Sequence, residues 1–226
     1  MTRTTPDDVA AEGIPSLADT SVLRDLPSTA RGARTRAALV AAARTVFERD
    51  GYLEARLSDI AAEAKCSTGS FYTYFAGKEE ILQAVLDLAQ NEMLHPGLPR
   101  LEPDEASPAA VIEASNRAYF ETYKRNAKLM AILDQVAAID PKFRAARRRR
   151  SRAFWERNAR SIAQLQERGL ADPELDPHQA ARALSGMVGR MAYYAFVLGE
   201  EASIDELVRT ATRLWVNAAR IGAAAG

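Results

Sequence analysis

Apolar residues recur along this chain at the i, i+3, i+4 spacing of a helix, and no segment shows the sustained alternation of a strand. The pattern predicts an all-α fold of about nine helices. A first helix over about 31–50 carries Leu39, Ala42, Ala43, Val46 and Phe47 on one face and stops at Gly51. Ser58 is placed to cap a second helix bearing Ile60, Ala61 and Ala64; Lys65-Cys66 breaks the pattern, and a short third helix starts at Ser67. A fourth runs from Lys78 to about Leu94, and Pro96, Pro99, Pro103 and Pro108 then mark a linker. Ser107-Pro108, Asp140-Pro141 and Asp176-Pro177 each pair a capping side chain with proline in the first turn, and Ser203 caps the last helix. These signals predict further helices over about 108–125, 127–139, 141–169, 177–199 and 203–221.

The segment Ser58–Lys78 carries the clearest chemistry. Thr68, Gly69, Ser70, Tyr72, Thr73 and Tyr74 take the outward positions of the third helix with no charge among them, while Phe71 and Phe75 face the opposite way. Hydroxyl and phenol groups on such a surface donate to phosphate oxygens or reach base edges in a major groove, and Gly69 lets the backbone come close to the sugar-phosphate wall. The capping serines Ser58 and Ser67 belong to the same surface. Gly77 is placed to cap the fourth helix, so Lys78 adds a charge to the free N–H groups of a helix start, which suits phosphate. An ordinary helical hairpin with half-buried tyrosines is the alternative reading.

The run resembles the TetR family of transcriptional repressors over about residues 33–86. The resemblance rests on Arg34, Arg36, Leu39, Ala42, Ala43, Val46, Phe47 and Gly51-Tyr52, on Ser58-Asp59-Ile60-Ala61 and Ala64, and on Ser67, Gly69, Ser70, Phe71, Tyr72, Tyr74, Phe75, Lys78, Glu79 and Leu82. Lys65 stands where the family usually has a turn glycine and Cys66 where it usually has valine, so positive φ at Lys65 would carry strain of about 1–3 kcal/mol. The resemblance implies a nine-helix regulator with an effector site in its C-terminal half. Tyr119–Tyr123 and Ala183-Leu184-Ser185 are also similar to the mycobacterial ethionamide-resistance repressor, which implies a long apolar pocket.

Charge and composition modify this picture in three ways. Net charge is zero, yet residues 31–78 hold eight Lys/Arg against five acids, a local basic surface that suits a moderate number of phosphate contacts. Within it Arg31, Arg34 and Arg36 are placed to track a minor groove, whereas Arg44 and Arg49 read equally well as a solvated helix face. No apolar run approaches the ~18–20 residues of a membrane span and Met1–Asp19 lacks a leader's apolar block, so a cytoplasmic location and no membrane partner are expected. One cysteine and two separated histidines, His95 and His178, offer no metal site. No cofactor, no catalytic residue and no enzyme activity are expected, because the chain has no Gly-rich phosphate loop and no histidine near a nucleophile.

The C-terminal half presents two apolar surfaces. Tyr119, Phe120, Tyr123, Met130, Leu133, Phe154, Trp155, Met187, Met191 and Tyr194 converge from four helices, and with Asn116, Asn158 and Ser185 as polar contacts they are the candidate lining of a deformable ligand pocket. Filling of a bundle core is the alternative for each of them. Ala181, Leu184, Gly186, Val188, Gly189 and Ala192 on the eighth helix, with Leu207, Ala211, Leu214 and Ala218 on the ninth, are the candidate dimer interface, since small residues let helices approach closely. Arg144, Arg147, Arg148, Arg149, Arg150 and Arg152 read either as solvated charge or as a phosphate site for an acyl-coenzyme A.

The expected organisation is a flexible extension over 1–28, a three-helix helix-turn-helix DNA-binding domain over 29–77, a connecting helix over 78–94 and a larger ligand-binding and dimerisation domain over 107–222. The expected function is that of a homodimeric repressor. It would bind a palindromic double-stranded operator and be released by a small, largely apolar effector, with an acyl-coenzyme A as one candidate. The effector would sit between the fifth to eighth helices and act through the fourth. A helical lipid or acyl-coenzyme A binding protein with no DNA-binding role is the alternative, and it leaves Ser67–Lys78 unexplained.

Overall fold

A computed structural model describes residues 23–94 and 107–222, residues 90–94 by their backbone alone. All regular structure among the described residues is helical: α1 (Ala30–Glu54), α2 (Leu57–Glu63), α3 (Thr68–Tyr74), α4 (Lys78–Leu94), α5 (Pro108–Arg125), α6 (Ala127–Ile139), α7 (Pro141–Glu167), α8 (Pro177–Phe196) and α9 (Ile204–Ala218). Helix starts follow the side chains that satisfy free N–H groups. Thr29, Ser107 and Asp176 accept from the backbone of Gly32, Ala110 and Gln179, and Pro108 and Pro177 stand in first turns where a missing N–H is harmless. Ser203 and Glu206 form a reciprocal capping box on α9.

Several boundaries differ from the sequence expectation. α1 continues past Gly51, whose φ of 78° lets the chain bend before one further turn. Arg56, not Ser58, takes the extended N-cap position of α2 without a side-chain cap, and Ser58 lies inside the first turn with its hydroxyl on Asp59. α7, α8 and α9 end two to three residues early because closing turns, not further helix, use Gly169, Gly199 and Ile221. The expected extension lies outside the described residues up to 22, as does the linker over 95–106. Residues 23–28, counted in that extension, are held: Arg24 donates its backbone N–H to Glu80 and its guanidinium to the carbonyl of Tyr72.

The chain groups into two compact units. Among the described residues, one comprises those up to Glu92 with Lys128–Arg150, the other those of Met93–Ala127 with those from Ser151 onward. The sequence places 128–150 with the ligand-binding domain, but α6 and the beginning of α7 group with the N-terminal helices instead. Leu39, Val46 and Phe47 of α1, Ile60 of α2, Phe71 of α3, Ile81, Leu82 and Leu86 of α4, Leu129 of α6 and Phe143 and Ala146 of α7 are all fully buried there. In the second unit α9 packs on α5 and α8, and Phe120, Ala181, Ala192, Val208 and Ala211 are fully buried. No described helix is long and apolar enough to cross a membrane.

Candidate nucleic-acid interface and ligand cavity

α1, α2 and α3 form the helix-turn-helix. α2 ends in a turn in which Lys65 N–H donates to Ala62 O and Cys66 N–H to Ala61 O, both at 2.9 Å, with Lys65 at φ 54°. Ser67 then caps α3 by accepting from Ser70 N at 3.1 Å. Phe71 and Phe75 are fully buried with ring centroids 5.8 Å apart, which anchors α3 and turns its other face outward. On that face Ser67, Thr68, Gly69, Tyr72 and Thr73 are exposed, while Ser70 and Tyr74 are half-buried. A Cβ added at Gly69 would meet only Ser67 Oγ, at 3.8 Å. Nothing inside the chain requires glycine there.

The basic residues of this region divide by what they touch. Arg44 is paired with Glu48 at 2.9 Å, and Arg49 grips Asp50 through two 2.7 Å bonds that raise the arginine's pKa and lower the aspartate's. Arg36 lies 5.1 Å over the Phe75 ring, and its buried Nε has no hydrogen-bond partner among the described residues. Lys78 donates to the carbonyls of Leu53 and Ala55, each at 3.0 Å, and its amine sits 4.9 Å from the Tyr52 ring centre. Burial, then the charges of Glu79 and Asp140, push the Tyr52 hydroxyl up to about 12. Arg31, Arg34, Arg56 and Lys65 are left exposed, with no acid paired to any of them among the described residues. Arg56 was missed as a site candidate from sequence, although an arginine just before a helix start was the available signal.

In the second unit a cavity of about 350 Å³ opens among α5, α7, α8 and α9. Of the sequence candidates, Asn116, Tyr119, Phe154, Asn158 and Ser185 line it. Val111, Ile112 and Ser115 extend the α5 wall at helical spacing, and Arg157, Ser161, Ile162 and Leu165 extend that of α7. Val188, Trp215 and Ile221 complete it. Asn158 Nδ2 donates to Ser185 Oγ at 2.9 Å and Asn116 Nδ2 to Thr212 Oγ1 at 3.1 Å.

The other ligand candidates do not line this cavity. Phe120 and Tyr123 pack against Phe196, Trp155 lies under the Arg182 guanidinium, and Tyr194 stacks with Tyr193 and Arg190 on the outside. Met187 and Met191 are half-buried on α8. Met130 and Leu133 are buried on α6, in the other unit.

The interface candidates also separate. Ala181, Leu184, Val188, Ala192, Leu207 and Ala211 are buried within the chain, because the small residues of α8 serve its packing on α5 and α9. Gly186, Leu214 and Ala218 face outward, and Gly189 lies beside the Tyr119 hydroxyl. In the arginine cluster Arg144 donates to the carbonyls of Ala137 and Ala138, Arg147 pairs with Asp134 and Arg152 with Glu156.

Two family models match the chain: one for bacterial regulatory proteins of the tetR family over residues 39–85, and one for the C-terminal domain of the transcriptional regulator EthR over residues 112–219. The A-factor receptor protein of Streptomyces griseus is 43% identical over 58 residues, 26% of this chain and 21% of that protein, so that match spans about a fifth of the relative. The HTH-type transcriptional regulator ArpR of Pseudomonas putida is 26% identical over 168 residues, 69% of this chain and 79% of the relative. Among solved structures, a transcriptional regulator from Saccharomonospora viridis in complex with choline shares the fold with a TM-score of 0.68 at 18% identity, over 81% of this chain and 96% of that one.

Proposed function

The chain belongs to the TetR family of bacterial regulatory proteins and carries a C-terminal domain of the EthR type, and from that premise we propose that it is a ligand-responsive repressor. In this reading it binds a two-fold operator as a homodimer and leaves it when a small, largely apolar molecule fills the C-terminal cavity. The observation that carries the proposal is the pairing, in one chain, of an outward polar α3 with a largely apolar cavity walled by four helices. Thr68, Ser70 and Thr73 would read bases, Ser58, Ser67, Tyr72 and Tyr74 would contact the backbone, and Arg31, Arg34, Arg56 and Lys65 would neutralise phosphates. Effector and operator then weaken each other's binding by the same factor. The outward residues Gly186, Leu214 and Ala218 are the proposed centre of the dimer contact, with α8 and α9 of two copies forming the bundle.

The test begins with an operator selected from random DNA by the purified full chain. Alanine at Arg31, Arg34, Arg56 or Lys65 removes one phosphate contact from each copy and is expected to reduce the slope of log affinity against log salt by about 1.8, whereas alanine at Arg44 or Arg49 leaves it unchanged. Ser161→Trp places bulk at the cavity, and the hydroxyl it removes bonds only the Arg157 carbonyl of its own helix. That variant should keep its melting temperature and its operator and should no longer be released by apolar ligands. Equal slopes in all six arginine and lysine variants would remove the DNA-binding assignment.

A further inference from the structure

Arg157 stands in the cavity wall, its guanidinium 4.7 Å over the Phe154 ring, and no carboxylate pairs with it among the described residues. None of the residues lining the cavity is acidic. Burial lowers its pKa, and the neighbouring charge that acts on it, that of Arg160, is of the same sign and lowers it further. An arginine nevertheless stays protonated, so a desolvated cation faces the cavity without a counter-charge. Ser185 adds a second donor to the same lining: its oxygen accepts from Asn158, which leaves its own proton to donate. Ile112, Ile162, Leu165 and Trp215 supply apolar wall, and Ser115, Asn116, Asn158 and Ser161 add further polar side chains to the lining.

We propose that the molecule recognised by this cavity is an amphiphilic anion, a medium-chain carboxylate whose head pairs with Arg157 and Ser185 and whose tail lies along the apolar wall. The proposal rests on the reading of the cavity as the effector site. A planar guanidinium matches a carboxylate with two parallel N–H bonds, and such pairs are the strong class of hydrogen bond. At roughly 30 Å³ per water-sized group, a cavity of about 350 Å³ holds about a dozen heavy atoms, the size of decanoate.

Calorimetric titration of the full chain with sodium decanoate, decan-1-ol and decyltrimethylammonium tests this, because the three share a tail and differ in head charge. The wild type is expected to bind decanoate at least about tenfold more tightly than the alcohol, the ratio that one charge-assisted contact supplies. Arg157→Met should abolish that preference and leave the affinity for decanol within about threefold, while Arg157→Lys should keep part of it. Equal or tighter binding of decanol or of the ammonium by the wild type overturns the inference while the cavity remains an effector site. An undiminished preference in Arg157→Met overturns it as well. If none of the three binds, the effector-site reading itself falls and takes this one with it. Should Arg157→Met fail to fold, the order of the three affinities in the wild type decides alone.

Discussion

At position 65 the backbone takes a φ of 54°, in the left-handed region that disfavours any side chain with a Cβ. The same closing turn ends α7, where Gly169 N–H bonds Gln166 O and Leu170 N–H bonds Leu165 O, and there the left-handed residue is glycine. It ends α9 too, with Arg220 at φ 48°. Lys65 therefore holds its conformation against a local preference, because the two hydrogen bonds to Ala62 and Ala61 and the fixed start of α3 at Ser67 determine the turn. Lys65→Gly is expected to raise stability by about 1 kcal/mol, or a melting temperature higher by roughly 2–4 °C in a chain of this size. A variant with a lower melting temperature would mean that the lysine side chain contributes a contact absent from this structure. Lys78 presents the opposite case: it stitches the carbonyls of Leu53 and Ala55 at the end of α1 to the start of α4. Lys78→Ala leaves those carbonyls without their donor, and thermal melts should show a loss of about 1–2 kcal/mol whether or not DNA is present.

At the scale of the element, α3 and α9 show different ways of holding a helix in place. α3 has seven residues, too few to be stable alone, so the burial of Phe71 and Phe75 must supply its stability, at about 1.5–3 kcal/mol each. Its outward face is then free to serve something else, and Gly69 is the position where this becomes measurable. An exposed helical glycine costs about 0.5–1 kcal/mol relative to alanine, and no internal contact at 69 offsets that. Gly69→Ala should therefore stabilise the protein in a thermal melt and weaken operator binding in a DNA titration; stronger binding would remove the close-approach role. α9 relies instead on its capping box. The backbone and hydroxyl of Ser203 bond the Glu206 carboxylate and hold its pKa below the ordinary glutamate value of about 4.5. A carboxylate depressed in the folded state adds stability above its unfolded pKa and loses it as pH falls through the folded one. Melting temperatures of wild type and Glu206→Gln should differ at pH 7 and converge only as pH falls past the unfolded value of about 4.5 and through the lower folded one.

At the scale of the whole molecule, the outward and inward faces of α8 and α9 make distinct predictions. A Cβ at Gly186 meets nothing within 4 Å, whereas Ala211 is fully buried. Gly186→Leu should shift sedimentation toward monomer and lower the melting temperature only by the contribution of the lost dimer contact, which depends on protein concentration, while Ala211→Leu should overpack the chain's own core and cost about 1–3 kcal/mol at any concentration. A Gly186→Leu protein that sediments like the wild type places the dimer contact elsewhere.

The helical class, the start of α5 at Ser107-Pro108, the start of α8 at Asp176-Pro177 and the helix-turn-helix were all legible without a structure, because capping, proline geometry and i, i+4 burial act over a few residues and leave their pattern in the chain itself. The polar face of α3 was legible for the same reason, being the complement of Phe71 and Phe75. Which apolar residues meet across helices was not. Periodicity shows that a residue is turned inward but not toward which partner, so Met130, Tyr123 and Trp155 read as alike with Phe154, and only the tertiary packing put Phe154 in the cavity wall and the others elsewhere. The same holds for charge. Sequence groups Lys78 with Arg31 as a phosphate contact and leaves Arg44 open, but the fold ties Lys78 to two carbonyls, pairs Arg44 with Glu48 and leaves Arg31 exposed, because pairing depends on which groups the packed helices bring within reach.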